Sequence, residues 1–358
     1  MSGSVRRWLQ RIHLWLGIAI ALPVGVTAAT GIILTWTQEL APIVDGPEWS
    51  ANAGTESLGW PALIARVQKQ QPQATILHVG GDPSGGYAMP VWLKHPETGV
   101  QSFLLDPGTG ELVERRTQDE WLKWIEGLHR NLLMGAWGRQ LVAVSSLVMV
   151  AIAVVGVVLW WPMRRGSLRG LLRRRSLLRW HNLVGLVVVP MMLLLALTGV
   201  TLTYNGTIFD ALHRLAGSEA EVAAPEPRSS AQTAPLPQVF DAADDAVNDA
   251  DVRRFSETRD GAVYELRLRE PGAVHPAGWH VAYVDASTGE LLRVTDKRTG
   301  TWATWYEQMW YVLHTGSLLP AGPRAVWALA SLGVFALAVT GVWHWYSRHR
   351  RRRRNARR

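Results

Sequence analysis

Four apolar segments constrain the fold of this 358-residue chain more than any other feature of its sequence. Each segment is long enough to cross a hydrocarbon layer of about 30 Å at about 1.5 Å per helical residue. None of them contains Asp, Glu, Lys or Arg. The segments are residues 12–36, 141–161, 183–204 and 325–346. The sequence therefore predicts an α-helical integral membrane protein with four transmembrane helices.

The charged residues are sorted to opposite sides of these segments. All 29 acidic residues lie within 39–126 or 210–307, whereas arginines precede the first segment, fill the middle loop and follow the fourth segment. Because basic residues collect on the cytoplasmic side, we expect both termini and the middle loop to be cytoplasmic and the acidic segments to face outward. The Arg-rich tail directly follows a span, so anionic lipid headgroups explain it better than nucleic acid does.

The chain repeats one pattern of residues twice. The first set, His13, Gly17, Thr30 and Gly31, recurs 168 positions later as His181, Gly185, Thr198 and Gly199. The second set, Leu128, His129, Arg139, Ser146 and Gly156, recurs 185 positions later as Leu313, His314, Arg324, Ser331 and Gly341. Between these sets, the turn Asp-x-x-Thr-Gly-Glu occurs at 106–111 and at 285–290. The sequence therefore predicts a duplicated unit of helix, soluble module and helix.

Each soluble segment predicts a small α+β module, with a helix followed by alternating apolar residues typical of strands. The first module is expected to hold a helix over 60–70, strands over 76–79, 88–93 and 100–105, and a strand over 111–113 that returns antiparallel. The second is expected to hold a helix over 239–247 and strands over 262–268 and 279–284.

Four histidines at repeat-equivalent positions lie at the edges of the spans. His13 and His181 lie at the inner edge, and His129 and His314 at the outer edge. A neutral imidazole is a good axial ligand for haem iron, and ionisable groups inside spans are usually functional. The recurrence therefore favours an inner and an outer pair of haem ligands over four unrelated interfacial histidines.

Three glycine and histidine positions complete the candidate cofactor-binding set. Gly17 and Gly185 each follow an inner histidine by four residues, which predicts a recess on the same helix face where a flat macrocycle could pack. His344 lies near the inner level but has no counterpart, since Leu159 occupies the matching position. We favour His13 and His181 as the inner ligands, with His344 as an alternative ligand or a propionate partner.

The chain contains no cysteine. This excludes disulfides, iron–sulfur clusters, thiolate ligation and the covalent attachment of c-type haem. A redox centre would have to be bound non-covalently or held by ligands such as histidine.

Several motifs resemble the PepSY-associated transmembrane-helix family over nearly the whole chain. They are Arg-x-x-x-Arg-Ile-His13-Leu-Trp-Leu-Gly17, the Thr-Gly pairs late in spans, Leu128-His129, Leu-Trp-Trp-Pro162 and the two Asp-x-x-Thr-Gly-Glu turns. This iron-regulated bacterial inner-membrane group includes ferric-siderophore reductases. The resemblance implies four helices, two periplasmic PepSY modules, and b-type haem near each face with His13, His181, His129 and His314 as ligands.

The spans and modules read from the sequence, together with the resemblance, divide the chain. The N-terminus and first span cover 1–36, the first PepSY-like module 37–128, the second span with its lead-in 129–161, the Arg-rich loop 162–180, the third span 181–204, the second PepSY-like module 205–308, the fourth span with its lead-in 309–346, and the basic tail 347–358.

The function implied is electron transfer from an unidentified cytoplasmic or membrane donor to a periplasmic ferric-siderophore, with release of Fe(II). The sequence alone leaves an alternative open, a non-enzymatic membrane protein whose PepSY modules bind or regulate a periplasmic protease or envelope partner. A transporter of iron chelates is less favoured, because the spans carry no charged residue for a polar pathway.

Overall fold

The computed structural model describes residues 2–44, 56–85, 87–114, 120–161, 177–218, 224–228 and 233–356. Contacts divide the chain into two units. The helical unit comprises Met1–Thr37, Trp121–Ile208 and Trp310–Arg358, and the sheet unit comprises Gln38–Glu120 and Phe209–Met309.

The helices of the described residues are α1 (Gly3–Leu34), α2 (Thr37–Val44), α3 (Trp60–Gln70), α4 (Glu120–Asn131), α5 (Gly135–Trp160), α6 (Leu177–Ala216), α7 (Leu236–Asp244), α8 (Trp302–Thr315) and α9 (Ala321–Ala356). Four of them, α1, α5, α6 and α9, are long and apolar enough to cross a membrane. They cover the four segments predicted from the sequence, except that α1 ends two residues and α5 one residue before the predicted end. This part of the fold prediction is confirmed.

Aliphatic side chains and small residues from the four spans form the core of the helical unit. Ile20, Val24 and Ala28 of α1 are buried in one cluster with residues of the other three spans, which include Met149 and Met192. Alanine side chains let the helices approach closely, which favours packing in the absence of a hydrophobic driving force between helices in lipid.

The third span belongs to a helix longer than predicted. Helix α6 has 40 residues, about 60 Å of helix, which exceeds one bilayer crossing. Its backbone leaves helical geometry at Tyr204, where the predicted span ends, and the helix then continues into the sheet unit. Residues 162–176 of the predicted Arg-rich loop lie outside the described residues, and 177–180 belong to α6. The predicted basic tail continues α9 as helix up to Ala356.

The strands form one antiparallel sheet rather than two separate ones. They are β1 (Thr75–Gly80), β2 (Met89–His95), β3 (Gly99–Leu105), β4 (Leu112–Glu114), β5 (Asp251–Thr258), β6 (Val263–Arg269), β7 (His280–Asp285) and β8 (Leu291–Asp296), in the order β4-β3-β2-β1-β5-β6-β7-β8. The two halves meet where Val79 pairs with Phe255 and Gly80 with Arg254. This pairing satisfies backbone groups that two independent modules would each leave exposed at an edge strand.

Helices α3 and α7 share a hydrophobic core with the sheet. Leu63 and Val67 of α3 and Val239 of α7 are fully buried with Phe255 and Leu266 of the sheet. The two Asp-x-x-Thr-Gly-Glu turns are built alike, since in each the aspartate Oδ1 accepts hydrogen bonds from two backbone N–H groups that follow it. Gly110 and Gly289 both have a φ of 71°, which glycine adopts without strain.

Candidate functional site

The four repeat-equivalent histidines meet in two pairs, both within the helical unit. The ring centroids of His13 and His181 are 6.4 Å apart with their planes at 90°. Those of His129 and His314 are 6.1 Å apart with their planes at 65°. The structure therefore brings inner histidine to inner and outer to outer, as the sequence predicted. His13 and Gly31, which packs against His129, are 18 residues apart on α1, so the pairs are separated by about 27 Å along this helix.

The Nδ1 atom of every paired histidine is held by an oxygen atom of a span. Inner His13 Nδ1 lies 3.1 Å from the carbonyl oxygen of Ile152, and His181 Nδ1 lies 2.9 Å from Thr340 Oγ1. At the outer pair, His129 Nδ1 lies 2.9 Å from the carbonyl oxygen of Thr27. His314 Nδ1 lies 2.8 Å from Thr198 Oγ1.

These contacts assign one tautomer to all four rings. A carbonyl oxygen can only accept, so Nδ1 of His13 and of His129 must donate. Thr198 and Thr340 donate their hydroxyl protons to carbonyls of Leu194 and Ala336 in their own helices. Their oxygens therefore accept from the histidines, and Nδ1 is again protonated. Each Nε2 keeps its lone pair, which is the form of imidazole that binds a metal.

Each ring also packs against a glycine of a second helix. A Cβ atom placed on Gly156 would lie 3.2 Å from His13 Cε1, and one on Gly31 would lie 3.3 Å from His129 Cε1. The corresponding distances are 3.5 Å from Gly199 to His314 and 3.6 Å from Gly341 to His181. The absence of a side chain at these glycines thus provides the space in which the imidazoles lie.

Gly17 and Gly185, which the sequence predicted to form a recess beside the inner histidines, are not the glycines on which the imidazole rings pack. A Cβ on Gly17 would meet nothing within 4 Å, and one on Gly185 would meet Leu337 at 3.6 Å. Both line the same cavity as His13 and His181. They leave room beside the inner pair, but the imidazoles themselves rest on Gly156 and Gly341.

A cavity is lined by both histidines of the inner pair, and the space in it that atoms do not fill is about 1010 Å³ when the solvent at its open mouth is included. Its walls come from all four spans and are mostly aliphatic, and it reaches as far as Met149 and Met192. Specific small-molecule sites are concave and mostly apolar, with a few polar groups that orient the ligand. His344 is not among the described residues that line this cavity.

The residues present can hold a metal only with help from further ligands. Over the described part of the chain, no group of three or more His, Cys, Asp or Glu side chains is arranged to bind a metal ion. Two imidazoles bound through nitrogen to one metal have ring centres about 6 Å apart, since each metal–nitrogen bond is about 2 Å. Both pairs match this separation. The donor sets therefore fit an iron whose remaining ligands belong to a macrocycle.

The threonines are functional candidates that the sequence predictions did not include. Thr30 and Thr198 belong to the repeated Thr-Gly pairs, and each lies within hydrogen-bond distance of an outer histidine Nδ1. The repeat signalled that these positions matter, but not which side chain they contact. Thr340 also precedes a glycine, Gly341, but the repeat did not mark it, because Val155 occupies its matching position.

Comparison with known proteins places these features in a family. A search of curated proteins found no match. The model of the family described as PepSY-associated TM region matches residues 10–348, which include all four spans and all four paired histidines. The chain therefore belongs to the family of PepSY-associated transmembrane proteins.

Proposed function

We propose that the protein is a haem-containing oxidoreductase of the bacterial inner membrane. It would pass electrons from the cytoplasmic side to a ferric-siderophore in the periplasm, which releases iron as Fe(II). The observation that carries this proposal is the matched geometry of the two histidine pairs, with ring centroids 6.4 Å and 6.1 Å apart and every Nδ1 engaged.

In this proposal His13 and His181 would hold one b-type haem, and His129 and His314 would hold a second. Haem b bound at these pairs would supply one-electron chemistry between ferric and ferrous iron. Hydrogen bonds from each Nδ1 to an oxygen of a span hold the imidazole in one orientation and make its Nε2 more basic. The surrounding aliphatic spans lower the local dielectric, which tunes the redox potential.

The arrangement also supports a direction for the electrons. The inner pair lies at the arginine-rich ends of the spans and the outer pair at the ends that lead to the acidic segments. By charge distribution the first side is cytoplasmic and the second periplasmic. Ferric iron held by a siderophore is then the substrate at the outer pair, as the family resemblance implies. The electron donor on the inner side is unidentified.

An anaerobic reoxidation assay tests the proposed activity. Purified protein is reduced with dithionite, the excess reductant is removed, and ferric chelates are added one at a time. We expect the absorption bands of reduced haem to convert to the oxidised form, and an Fe(II) trap such as ferrozine to develop colour in proportion. Purified protein without haem bands would overturn the proposal and favour the non-enzymatic alternative, in which the sheet unit binds a periplasmic partner.

A His344→Ala variant tests which histidines hold the inner haem. Since His344 does not line the cavity and His13 and His181 face each other across 6.4 Å, we expect this variant to keep its full haem content. His181→Ala should lose the inner haem. The haem-to-protein ratio, measured as the pyridine haemochrome, checks both variants. If His344→Ala loses one haem and His181→Ala loses none, His344 rather than His181 is the inner ligand.

A further inference from the structure

Arg324 is a buried cation near the outer edge of the helical unit. Its side chain is only 6% exposed, and its guanidinium carbon lies 5.8 Å from the centre of the Trp36 ring. It belongs to the first turn of α9, a turn that contains no acidic residue. The positive end of the helix dipole disfavours a cation at this position, and burial adds a desolvation penalty. A buried arginine is thus held where the helix itself favours a negative group.

The face of α9 that carries Arg324 is directed at the outer histidine pair. Residues Arg324, Trp327 and Ser331 follow one another at helical spacing and share this face. Trp327 Nε1 donates a 2.7 Å hydrogen bond to the carbonyl oxygen of Leu313, the residue before His314. Ser331 Oγ lies 3.5 Å from the position that a Cβ would take on Gly31, the glycine that receives His129.

The contacts on both sides of Arg324 place it about two helical turns from the outer pair. Ser331 is seven residues further along α9, a rise of about 10 Å, and Trp36 follows Gly31 by five residues, in the turn after α1 ends at Leu34. The two helices therefore bring the guanidinium and the indole to the same side of the pair. Arg324 would therefore lie on the side of an outer haem that faces away from the inner pair.

The repeat supplies a contrast at the matching position. Arg139 on α5 corresponds to Arg324 at the offset of 185, but its side chain is exposed. Trp327 likewise corresponds to Val142. At these matching positions, a buried arginine and a tryptophan bonded to the residue before the histidine therefore occur in the second half and not in the first. The sorting of charges across a membrane does not explain an arginine that is buried in protein.

We propose that Arg324 binds a propionate carboxylate of the haem held between His129 and His314. This inference rests on the proposed function. The guanidinium is suited to a carboxylate, because its planar N–H donors match the two oxygens. The chain thereby fixes the rotational setting of the outer cofactor. The positive charge also favours the reduced form of the iron over the oxidised form, which raises the redox potential of the haem nearer the substrate.

Redox titration of the outer haem tests this role. Full-length protein that carries His13→Ala isolates the outer haem, and Arg324→Gln, Arg324→Lys and Arg139→Gln are compared in that background. We expect Arg324→Gln to lower the equilibrium constant for haem reduction about three- to tenfold. Arg324→Lys keeps the charge and should stay within about twofold of the parent, and the exposed Arg139→Gln control should not change the titration.

Each outcome has a defined meaning for Arg324. An unchanged titration in Arg324→Gln overturns the inference, and so does an equal fall in the Gln and Lys variants, which would trace the effect to packing on Trp36. Arg324→Gln could also lose its haem, and Arg324→Lys then decides the matter. If the Lys variant keeps its haem and its redox potential, the positive charge anchors the haem. If both variants lose their haem, the inference is contradicted. Absence of haem from the wild-type protein would instead refute the proposed function itself.

Discussion

Replacing His314 with alanine is expected to remove the outer haem completely and to abolish reduction of ferric chelates. The ring centroids of His314 and His129 are 6.1 Å apart, and in the proposed function the two residues together would hold the iron. A single remaining imidazole would leave the iron with one protein ligand, and alanine adds none. The haem-to-protein ratio should fall by half in a pyridine haemochrome measurement, while the haem at the inner pair is retained.

His349→Ala is the matched control for the loss of a histidine. His349 lies in the exposed basic end of α9, where its ring stacks on Trp345 at 5.7 Å, and it belongs to neither pair. This variant should keep its haem content and its chelate reduction. Full haem content in His314→Ala, or an equal loss in both variants, would contradict the assignment of the outer pair.

A Gly156→Val substitution is expected to eliminate the inner haem without changing any ligand. The first atom of a side chain at this position would already lie 3.2 Å from His13 Cε1, and the two further methyl groups of valine would have to displace the ring. Because the ring is also held by the Ile152 carbonyl at 3.1 Å, it cannot move away without losing that hydrogen bond. The haem-to-protein ratio should again fall by half, and Gly156→Ala should give a smaller loss.

The control for this substitution is Gly206→Val. Gly206 is an exposed helical residue, and a Cβ placed there would contact nothing within 4 Å. Valine is a somewhat better helix former than glycine, so helix propensity cannot explain a loss at Gly156. Haem content equal to that of wild type in Gly156→Val would show that this glycine does not provide the space for His13.

The spans were predictable because the bilayer imposes a simple requirement on a sequence. Twenty or so apolar residues without charge leave few alternatives to a spanning helix, and the structure confirms four of them. The helix ends were less predictable, since α6 begins before the apolar segment and α9 continues beyond it through a run of arginines. Nothing in the apolar pattern marks where a helix continues outside the membrane.

The sheet was predictable only where apolar and polar residues alternate. The helix over 60–70 and the strands within both modules are confirmed, but β5 and β8 were not predicted. Strand β5 carries Arg253 and Arg254 in its middle, and its identity depends on pairing with β1 and β6 rather than on its own pattern. The joining of the two halves through β1 and β5 is a tertiary contact that no local signal specifies.

The pairing of the histidines followed from the repeat, but the contacts of each ring did not. In a helix the side chain leans toward the N-terminus, so the ring of His13 points away from Gly17, which lies one turn further along. The glycine that accommodates it is Gly156 on another helix. Contacts between helices, such as this one and that of Thr340 with His181, require the packing of the spans to be known.

Electron paramagnetic resonance of the oxidised, purified protein tests the central claim most directly. Two low-spin ferric signals are expected, one from each bis-histidine site. The signal of the inner pair, whose imidazole planes are at 90°, should be the more anisotropic, and it should disappear in His181→Ala while the other remains. A high-spin ferric signal, or protein that contains no haem iron, would contradict the account.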